Sequence, residues 1–399
     1  MRRLLILALA GALLAAGLFT GNVASAVVIG PPPSAPASAA EPATPLLAYY
    51  YVWFDPSSWN RAKIDYPTLG RYSSDDTGVM RQHIEWAKSA GIKGFIVSWK
   101  NTETNNRRLR LLMDVARAAD FKLAMIYQGL DFDRHPQPVS RVAADLSMFR
   151  DQFAPDPVFL RLGGKPLTIF SGTWEFNHDD VAKATGPVRQ DMLVLSTEKS
   201  VDGYRRLADV TDGDAYYWSS VNPDSYGDHS PKLAAMSDAI HRDGKYWVAP
   251  FAPGFDARLV GGTRTVDRKD GETLRVQYSA AVRSAPDVLG LISWNEFSEN
   301  SYVEPSLKYG TRSLDVLRDL RSGAVPSAPS AALDSSSLAG PGRGAAGDAR
   351  RGSALTNVGL LAGFPIVLIV TVGLIARRQR RHGRDIPAQR LPSDPKGTL

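Results

Sequence analysis

Residues 76–99 read DTGVMRQHIEWAKSAGIKGFIVSW and contain a helical pattern that is followed by a short apolar run. Ser74-Asp75-Asp76 stands where a helix N-cap belongs, and Gly91 stands where a C-cap belongs. The run at 94–99 is rich in β-branched and aromatic residues, as is the run LLAYYYVWF at 46–54. This part of the chain therefore predicts a strand, a helix and a second strand in succession.

The same alternation continues along the chain. Strand-like runs occur at 46–54, 94–99, 122–128, 166–171, 192–197, 213–219, 245–251 and 288–294. Helical stretches occur at 76–90, 104–119, 138–153, 178–185, 201–208, 231–242, 272–285 and 311–321. Eight repeats predict an α/β protein with a closed (β/α)8 TIM barrel over residues 46–321. A doubly wound open sheet is the alternative, but no Gly-x-Gly-x-x-Gly follows the first strand.

Both ends of the chain carry signals for a membrane. Residues 1–26 combine two arginines, an apolar run and Ala24-Ser25-Ala26, which predicts a secretory signal peptide. Residues 358–376 contain no charge and are followed by an arginine cluster, which predicts a single transmembrane helix. The alternatives are an uncleaved anchor at the first segment and a buried soluble helix at the second.

The remaining segments complete a predicted domain order. We expect a Pro/Ala/Ser-rich leader at 27–45, a disordered stalk at 322–357 and a basic cytoplasmic tail at 377–399. The basic tail stays inside by the positive-inside rule. The sequence thus predicts a single-pass type I protein of the cell membrane, with the barrel outside the cell.

Composition excludes several classes of function. The chain has 399 residues, no cysteine and a formal charge of +6. Arg2, Arg3 and the tail account for all of this excess, so the folded part is close to neutral and a nucleic-acid partner is not expected. The six histidines have no metal-ligand spacing, so neither a metal nor another cofactor is predicted. Gly163-Gly164 predicts a hairpin-like turn and not a phosphate loop, because no Lys-Ser/Thr follows.

Aromatic residues are concentrated where the predicted strands end. In a TIM barrel the carboxyl ends of the strands form the active-site face. Aromatic faces edged by hydrogen-bonding groups suit sugar rings, although packing in the core or at the rim is the simpler alternative for any one of them. The candidates for a sugar site are Tyr51, Trp53, Trp99, Tyr127, Gln128, Tyr217, Trp218, Trp294 and Asn295.

Glu296 and Glu299 follow the last predicted strand. Glycoside cleavage typically needs two carboxyl groups, one that donates a proton and one that acts as base or nucleophile. Burial and mutual repulsion would hold their pKa values apart, as such a division of roles requires. Two glutamates in a solvated loop are the alternative. Their position at the barrel face favours a catalytic pair.

These motifs resemble those of a known family. Trp294-Asn295-Glu296-Phe297-Ser298-Glu299, followed by Val303-Glu304-Pro305, is similar to the W-N-E-W-x-E…I-E-P signature of glycoside hydrolase family 99, the endo-α-mannosidases related to family 71. Tyr50-Tyr51-Val52-Trp53-Phe54, residues 67–74, residues 90–99 and Pro253-Gly254-Phe255-Asp256 with Arg264 resemble further family motifs in the same order.

The resemblance implies a mechanism. Glu296 would take the proton from the sugar 2-hydroxyl to give an anhydro-sugar, and Glu299 would protonate the leaving oxygen and then activate water, with configuration retained. Aromatic residues would line sugar subsites, and Asp256 would hold hydroxyls or Arg264. The aromatic residues that the resemblance implies at these subsites are Trp53, Trp99, Tyr217 and Trp218.

The chain also departs from the family. Ser298 stands where the family has histidine, and Asn300 where it has glycine. The sequence therefore predicts a membrane-tethered, retaining endo-glycosidase for α-mannan or a similar α-linked envelope glycan. The alternatives are a non-catalytic carbohydrate-binding or scaffold protein on the same barrel and a glycosidase that acts on an α-glucan.

Overall fold

The computed structural model describes residues 44–322, with gaps at 132 and 228. Eleven strands occur in these residues: β1 Leu46–Tyr51, β2 Gly94–Trp99, β3 Lys122–Gln128, β4 Arg161–Leu162, β5 Lys165–Ser171, β6 Leu193–Leu195, β7 Gly213–Ala215, β8 Tyr246–Phe251, β9 Phe255–Asp256, β10 Thr265–Val266 and β11 Val288–Leu291. Eight of them form parallel pairs around a barrel, namely β1, β2, β3, β5, β6, β7, β8 and β11.

The barrel closes between β6 and β7. Ser196 forms a parallel bridge with Asp214 there. The Ser196 amide donates to the Gly213 carbonyl at 3.0 Å, and the Ala215 amide donates to the Ser196 carbonyl at 2.8 Å. Gly213 is required at this point because a Cβ would lie 1.9 Å from the Tyr246 carbonyl oxygen. The predicted (β/α)8 barrel is confirmed, and the open doubly wound sheet is wrong.

Eight α-helices connect the barrel strands within the described residues. They are α1 Thr77–Ser89, α2 Glu103–Ala118, α3 Val139–Gln152, α4 His178–Thr185, α5 Val201–Leu207, α6 His229–Arg242, α7 Glu272–Arg283 and α8 Arg312–Arg321. The Asp76 carboxylate accepts from the amides of Gly78 and Val79, so α1 is capped within the predicted stretch Ser74-Asp75-Asp76, by its last residue. Gly91 follows α1 with a φ of 75°, a conformation that glycine adopts without strain.

The core has two layers because successive side chains of a strand point to opposite faces. Small and branched residues from alternate positions fill the barrel interior, for example Leu47, Ile96, Ile126 and Ile169. The intervening positions pack outward against the helices in a larger apolar cluster. We call the face at the carboxyl ends of the barrel strands the mouth. Whether a side chain occupies an inward or an outward position of its strand therefore decides whether it can reach the mouth.

Several strands end earlier than predicted. β1 stops at Tyr51, β7 at Ala215 and β11 at Leu291, because the residues after them form the loops around the mouth. Gly163 and Gly164 make the expected turn, which joins β4 to β5 as an antiparallel pair. The antiparallel pair of β9 and β10 was not predicted. Four short 3₁₀ turns were also missed: Pro56–Asn60, Thr173–Glu175, Arg258–Val260 and Lys269–Gly271.

The two ends of the described barrel lie side by side. Nη1 of Arg321, the last residue of α8, donates to the carbonyl of Thr44, just before β1, at 3.2 Å. In residues 44–322 the structure contains no helix of the length and apolarity needed to cross a bilayer. The predicted signal peptide, transmembrane helix and tail lie outside the described residues, as do the leader and stalk except for residues 44, 45 and 322. Those domain boundaries remain predictions.

Candidate active site

The loop after β11 carries both glutamates to a cavity at the mouth. The cavity has a volume of about 390 Å³, and Glu296 and Glu299 both line it. The Glu296 amide donates to Ser293 Oγ at 2.9 Å, and Glu296 Oε1 accepts from the Ser298 amide at 3.0 Å. The loop thus folds back on itself, which turns a glutamate pair three residues apart into two neighbours in one cavity.

Asn295 attaches this loop to the first strand. Its Oδ1 accepts from the Tyr51 amide at 2.9 Å, and its Nδ2 donates to the Tyr51 carbonyl at 3.0 Å. The side chain is fully buried and therefore does not reach a substrate. Asn295 was predicted to contact sugar; the structure gives its amide group a different role, because it replaces the strand pairing that ends at Leu291.

A buried polar network lies behind Asn295. Its Nδ2 lies 3.4 Å from the Tyr72 hydroxyl, which donates to Glu304 Oε2 at 2.8 Å. Glu304 Oε1 lies 3.0 Å from Nε2 of His83, and neither of these two side chains is exposed. The Tyr50 hydroxyl lies 3.1 Å from Nδ1 of the same histidine. The network links the glutamate loop to β1 and α1 and makes the site rigid.

Arg268 holds the other end of the loop. Its Nη2 donates to the carbonyls of Asn300 at 2.9 Å and Tyr302 at 2.8 Å. The guanidinium is buried and lies 4.6 Å from the centre of the Tyr302 ring. The Glu299 carbonyl also accepts from the Asp256 amide at 2.7 Å. The backbone around Glu299 is therefore fixed from two sides.

Aromatic and amide groups form part of the cavity wall. The hydroxyls of Tyr51 and Tyr217 form a hydrogen bond with each other. The Trp53 ring stacks on Tyr51 with centroids 4.3 Å apart, and Trp53 remains 37% exposed, so one face is open to a ligand. Nε2 of Gln128 donates to Ser98 Oγ at 3.0 Å. The structure brings these four sequence candidates, Tyr51, Trp53, Gln128 and Tyr217, together with the glutamates in one cavity.

Burial changes the acidity of both glutamates. It raises the pKa of Glu296 from 4.5 to about 7, against the opposing effects of the Ser298 amide and the positive charge of Lys63. Burial together with the negative charge of Glu296 raises the pKa of Glu299 well above its usual range, while the charge of Arg134 opposes the change. One carboxyl group can therefore be ionised near neutral pH while the other keeps its proton.

Two of the predicted sugar-binding aromatics face the helices. Trp99 borders the cavity, but its ring is fully buried, with its centroid 5.5 Å from that of Phe149 in α3. Tyr127 is buried in the same layer and donates to Asp145 Oδ2 at 3.0 Å. Both rings were predicted to contact sugar; the structure instead turns them toward the helices, because each lies one position out of phase with the inward side chains of its strand.

The predicted roles of Trp294 and of the more distant candidates also change. Trp294 is fully buried in the apolar cluster between strands and helices, so it offers no face to a sugar. Trp218 is partly buried and is not among the residues that line the cavity; its ring centre lies 5.8 Å from the guanidinium of Arg264. Asp256 pairs with Arg258, whose Nη2 lies 2.6 Å from its Oδ2, and not with Arg264.

Sequence reasoning missed the basic residues of the cavity. Arg61 and Lys63 come from the loop after β1, Lys100 follows β2, and Arg134 lies in the loop after β3. The available signal was their position, since each lies in a loop that follows a predicted strand.

A TIM barrel that holds two acidic side chains at its mouth has the arrangement of a glycoside hydrolase. Comparison with known proteins agrees with this class. The model of Glycosyl hydrolase family 99 matches residues 60–321. The chain belongs to glycoside hydrolase family 99.

Individual relatives are distant. The chain is 22% identical over 269 residues to the glycoprotein endo-alpha-1,2-mannosidase of Rattus norvegicus, a match that covers 61% of this chain and 56% of that protein. It is 24% identical over 272 residues to a glycoprotein endo-alpha-1,2-mannosidase-like protein of Mus musculus, covering 61% and 58%. The chain thus spans little more than half the length of the curated relatives it matches.

Solved structures support the fold. The GH99 endo-alpha-mannosidase from Bacteroides thetaiotaomicron superposes with a TM-score of 0.59 at 22% identity, covering 66% of this chain and 88% of that one. A second structure of that enzyme, in complex with bis-tris-propane, gives a TM-score of 0.61 at 20% identity and covers 69% and 97%. At this identity the likeness concerns the architecture of the barrel.

Proposed function

We propose that this chain is a retaining glycosidase that cleaves α-mannosidic bonds within a glycan. The observation that carries the proposal is the pair Glu296 and Glu299, which line one cavity and both have a raised pKa. Family membership and the names of the relatives, endo-alpha-1,2-mannosidases, support mannose as the sugar.

The proposed first step forms an anhydro-sugar. Glu296, whose ionised form is favoured by Lys63 and the Ser298 amide, takes the proton of the sugar 2-hydroxyl, and the 2-oxygen attacks the anomeric carbon. The bond to the leaving oxygen breaks as Glu299 donates its proton to that oxygen. The surroundings support this division of roles, because Lys63 and the Ser298 amide favour the ionised form of Glu296, whereas burial and the charge of Glu296 favour the protonated form of Glu299.

The second step hydrolyses the intermediate. Glu299, now ionised, takes a proton from water, and the water oxygen attacks the anomeric carbon. The bond between this carbon and the 2-oxygen breaks, and Glu296 returns its proton to the 2-oxygen. Two inversions at one carbon retain its configuration, and both carboxyl groups end as they began.

The wall of the cavity fits a sugar ring. Trp53 provides an open aromatic face, and the joined hydroxyls of Tyr51 and Tyr217 provide polar contacts beside it. Sugar rings present CH-rich faces to aromatic rings and hydroxyl groups to polar edges. We therefore assign the sugar next to the cleaved bond to this wall.

Purified full-length protein tests the proposal. It is incubated with α-1,2-linked mannan and with an α-glucan, beside the Glu296→Gln and Glu299→Gln variants. We expect oligosaccharides with retained configuration from mannan with the parent protein, and a loss of at least ~10³-fold with either variant. Glu85→Gln, an exposed glutamate on α1, is the matched control and should keep full activity.

A non-catalytic sugar-binding protein is the second candidate. Ser298 and Asn300 replace the histidine and glycine of the family pattern directly beside Glu299, which is the observation that favours it. Such a protein would bind mannan equally well before and after Glu299→Gln and would release no sugar. Release of oligosaccharides by the parent alone excludes this candidate, and release from α-glucan alone would replace mannan as the substrate.

We also propose that the barrel is exported and tethered to the cell membrane by residues 358–376. The support is the sequence pattern at both ends of the chain. Protease treatment of intact cells should remove the barrel from a membrane-bound C-terminal fragment. A barrel that is protected until the cells are opened would contradict the proposed orientation.

A further inference from the structure

Four basic side chains line the cavity that holds the two glutamates: Arg61, Lys63, Lys100 and Arg134. They come from the loops that follow three different barrel strands. Lys63 is near enough to Glu296 for their charges to interact, and Arg134 interacts in the same way with Glu299. Each glutamate of the proposed catalytic pair therefore has a positive charge near it.

Three of these basic groups have no ionic partner. Among the residues described between 44 and 322, Arg61, Lys63 and Arg134 form neither a side-chain hydrogen bond nor an ion pair within 4.0 Å, although Lys63 Nζ lies 5.8 Å from the centre of the Trp59 ring. Arginines elsewhere in the barrel behave differently. Arg108 Nη2 lies 2.9 Å from Asp75 Oδ2, for example, and Arg189 Nη2 lies 2.9 Å from Asp212 Oδ1.

Partial burial of a cation that has no ionic partner is energetically unfavourable. It lowers the pKa of Lys63, and it lowers the pKa of Arg134 from 12.5 to about 10 even though Glu299, Glu175 and Asp131 favour the charged form. These side chains are half-buried, so part of their water is removed, and this is unfavourable unless a partner replaces it. A bound anion would supply the missing partner.

The acidic groups of the wall do not fill that role. The Asp55 carboxylate accepts from the amides of Ser57 and Ser58 in its own turn. The Asp131 carboxylate accepts from the amides of Asp133 and His135 in its own loop. The two glutamates have raised pKa values and are only partly ionised near neutral pH.

We infer that the natural glycan carries a negatively charged substituent, a phosphate or a carboxylate, that binds to the unpaired basic groups of the cavity, with Arg134 as its principal partner. This inference rests on the proposed function, since it names the class of glycan that the same site cleaves. A guanidinium can donate two parallel hydrogen bonds to either anion, which makes arginine suited to both. A neutral mannan would cover these half-buried cations without supplying an ionic partner.

The test compares three oligosaccharides with one α-mannan backbone: neutral, bearing one phosphate, and bearing one uronic acid. Full-length parent protein should show a kcat/KM at least ~10-fold higher for one or both charged forms, equivalent to about 1.4 kcal/mol, because the anion adds charge-assisted hydrogen bonds that the neutral glycan lacks. Whichever form is preferred identifies the anion. Added salt should raise KM for the charged forms more than for the neutral one.

Two variants test whether Arg134 is responsible for the preference for a charged glycan. Arg134→Gln should reduce the preference for the charged glycan by about tenfold. Arg141→Gln is the matched control, because Arg141 lies nearby in α3 but is exposed, outside the cavity and 3.6 Å from Asp145; it should keep the preference. Equal or better cleavage of the neutral glycan by the parent would overturn the inference while leaving the proposed function intact.

A binding measurement distinguishes failure of the proposed glycosidase function from failure of the inference about a charged glycan. If no glycan is cleaved, titration of the Glu299→Gln protein with the same three oligosaccharides still tests recognition. Tighter binding of a charged form would support the inference and contradict the glycosidase. Equal binding of all three, or none, would overturn the inference.

Discussion

Replacement of Glu296 by glutamine should stabilise the folded protein at alkaline pH while it abolishes activity. The folded-state pKa of Glu296 is raised above the unfolded value, so the folded state binds the proton more tightly. Its contribution to stability is then fully present below about pH 4.5 and is lost as pH rises through about 7. Glutamine carries no charge at any of these pH values, so the variant avoids the loss.

The magnitude follows from the size of the change in pKa. Each tenfold change in acid dissociation is worth about 1.4 kcal/mol, so a rise from 4.5 to about 7 corresponds to about 3 kcal/mol. For a domain of this size, about 3 kcal/mol raises the melting temperature by about 6–12 °C. The advantage of the variant should therefore grow by this amount between pH 4 and pH 8.

Urea unfolding at pH 4, 6 and 8 measures the effect on parent and variant. The Glu85→Gln protein is the control, because Glu85 is exposed on α1 and its substitution should leave the pH dependence of stability unchanged. A difference between parent and Glu296→Gln that stays constant from pH 4 to pH 8 would refute the reasoning. So would a variant that is less stable than the parent at pH 8.

Three further expectations follow from the site and the barrel. The plot of kcat/KM against pH should be bell-shaped, because activity needs Glu296 ionised and Glu299 protonated. Initial rates on mannan between pH 4 and 10 should place the acid limb near pH 7. An acid limb near pH 4.5 would contradict this expectation. Arg268→Gln should lower kcat at least ~10-fold, because the backbone next to Glu299 is no longer held in place. Two buried carbonyls also lose their donor, which destabilises the loop by about 1–3 kcal/mol for each carbonyl. Unchanged kinetics would show that the loop needs no such support. Gly213→Ala should destabilise the barrel by more than about 2 kcal/mol in urea unfolding, because its Cβ would lie 1.9 Å from a carbonyl of β8, and a stable variant would show that the closure can shift.

The fold could be predicted because its signal is periodic and local. Each strand run is apolar on both faces, and helix caps such as Asp76 and Gly91 separate the elements. The ends of the strands could not be predicted in the same way. The Asn295 side chain takes over the pairing beyond Leu291, and a contact between residues 244 positions apart has no local signature.

The two glutamates of the site could be predicted from the sequence, whereas the other side chains that line the cavity were harder to predict. Glu296 and Glu299 carry their signal in spacing and in position after a strand, whereas the sugar-binding role of an aromatic depends on strand parity. Trp99 and the neighbouring Ser98 differ by one position, and only the serine faces the barrel interior, where it accepts from Gln128. The basic residues of the cavity depend on three loops that meet only in the folded barrel.

The contact between Arg321 and Thr44 has a practical consequence for how this domain can be attached to a surface. Because α8 ends where β1 begins, a linker at either end of the barrel starts on the side opposite to the mouth. A resin, an electrode or a bilayer joined through such a linker then leaves the cavity directed outward. Long polymers can enter it from solution, so the barrel should tolerate immobilisation at either end equally well.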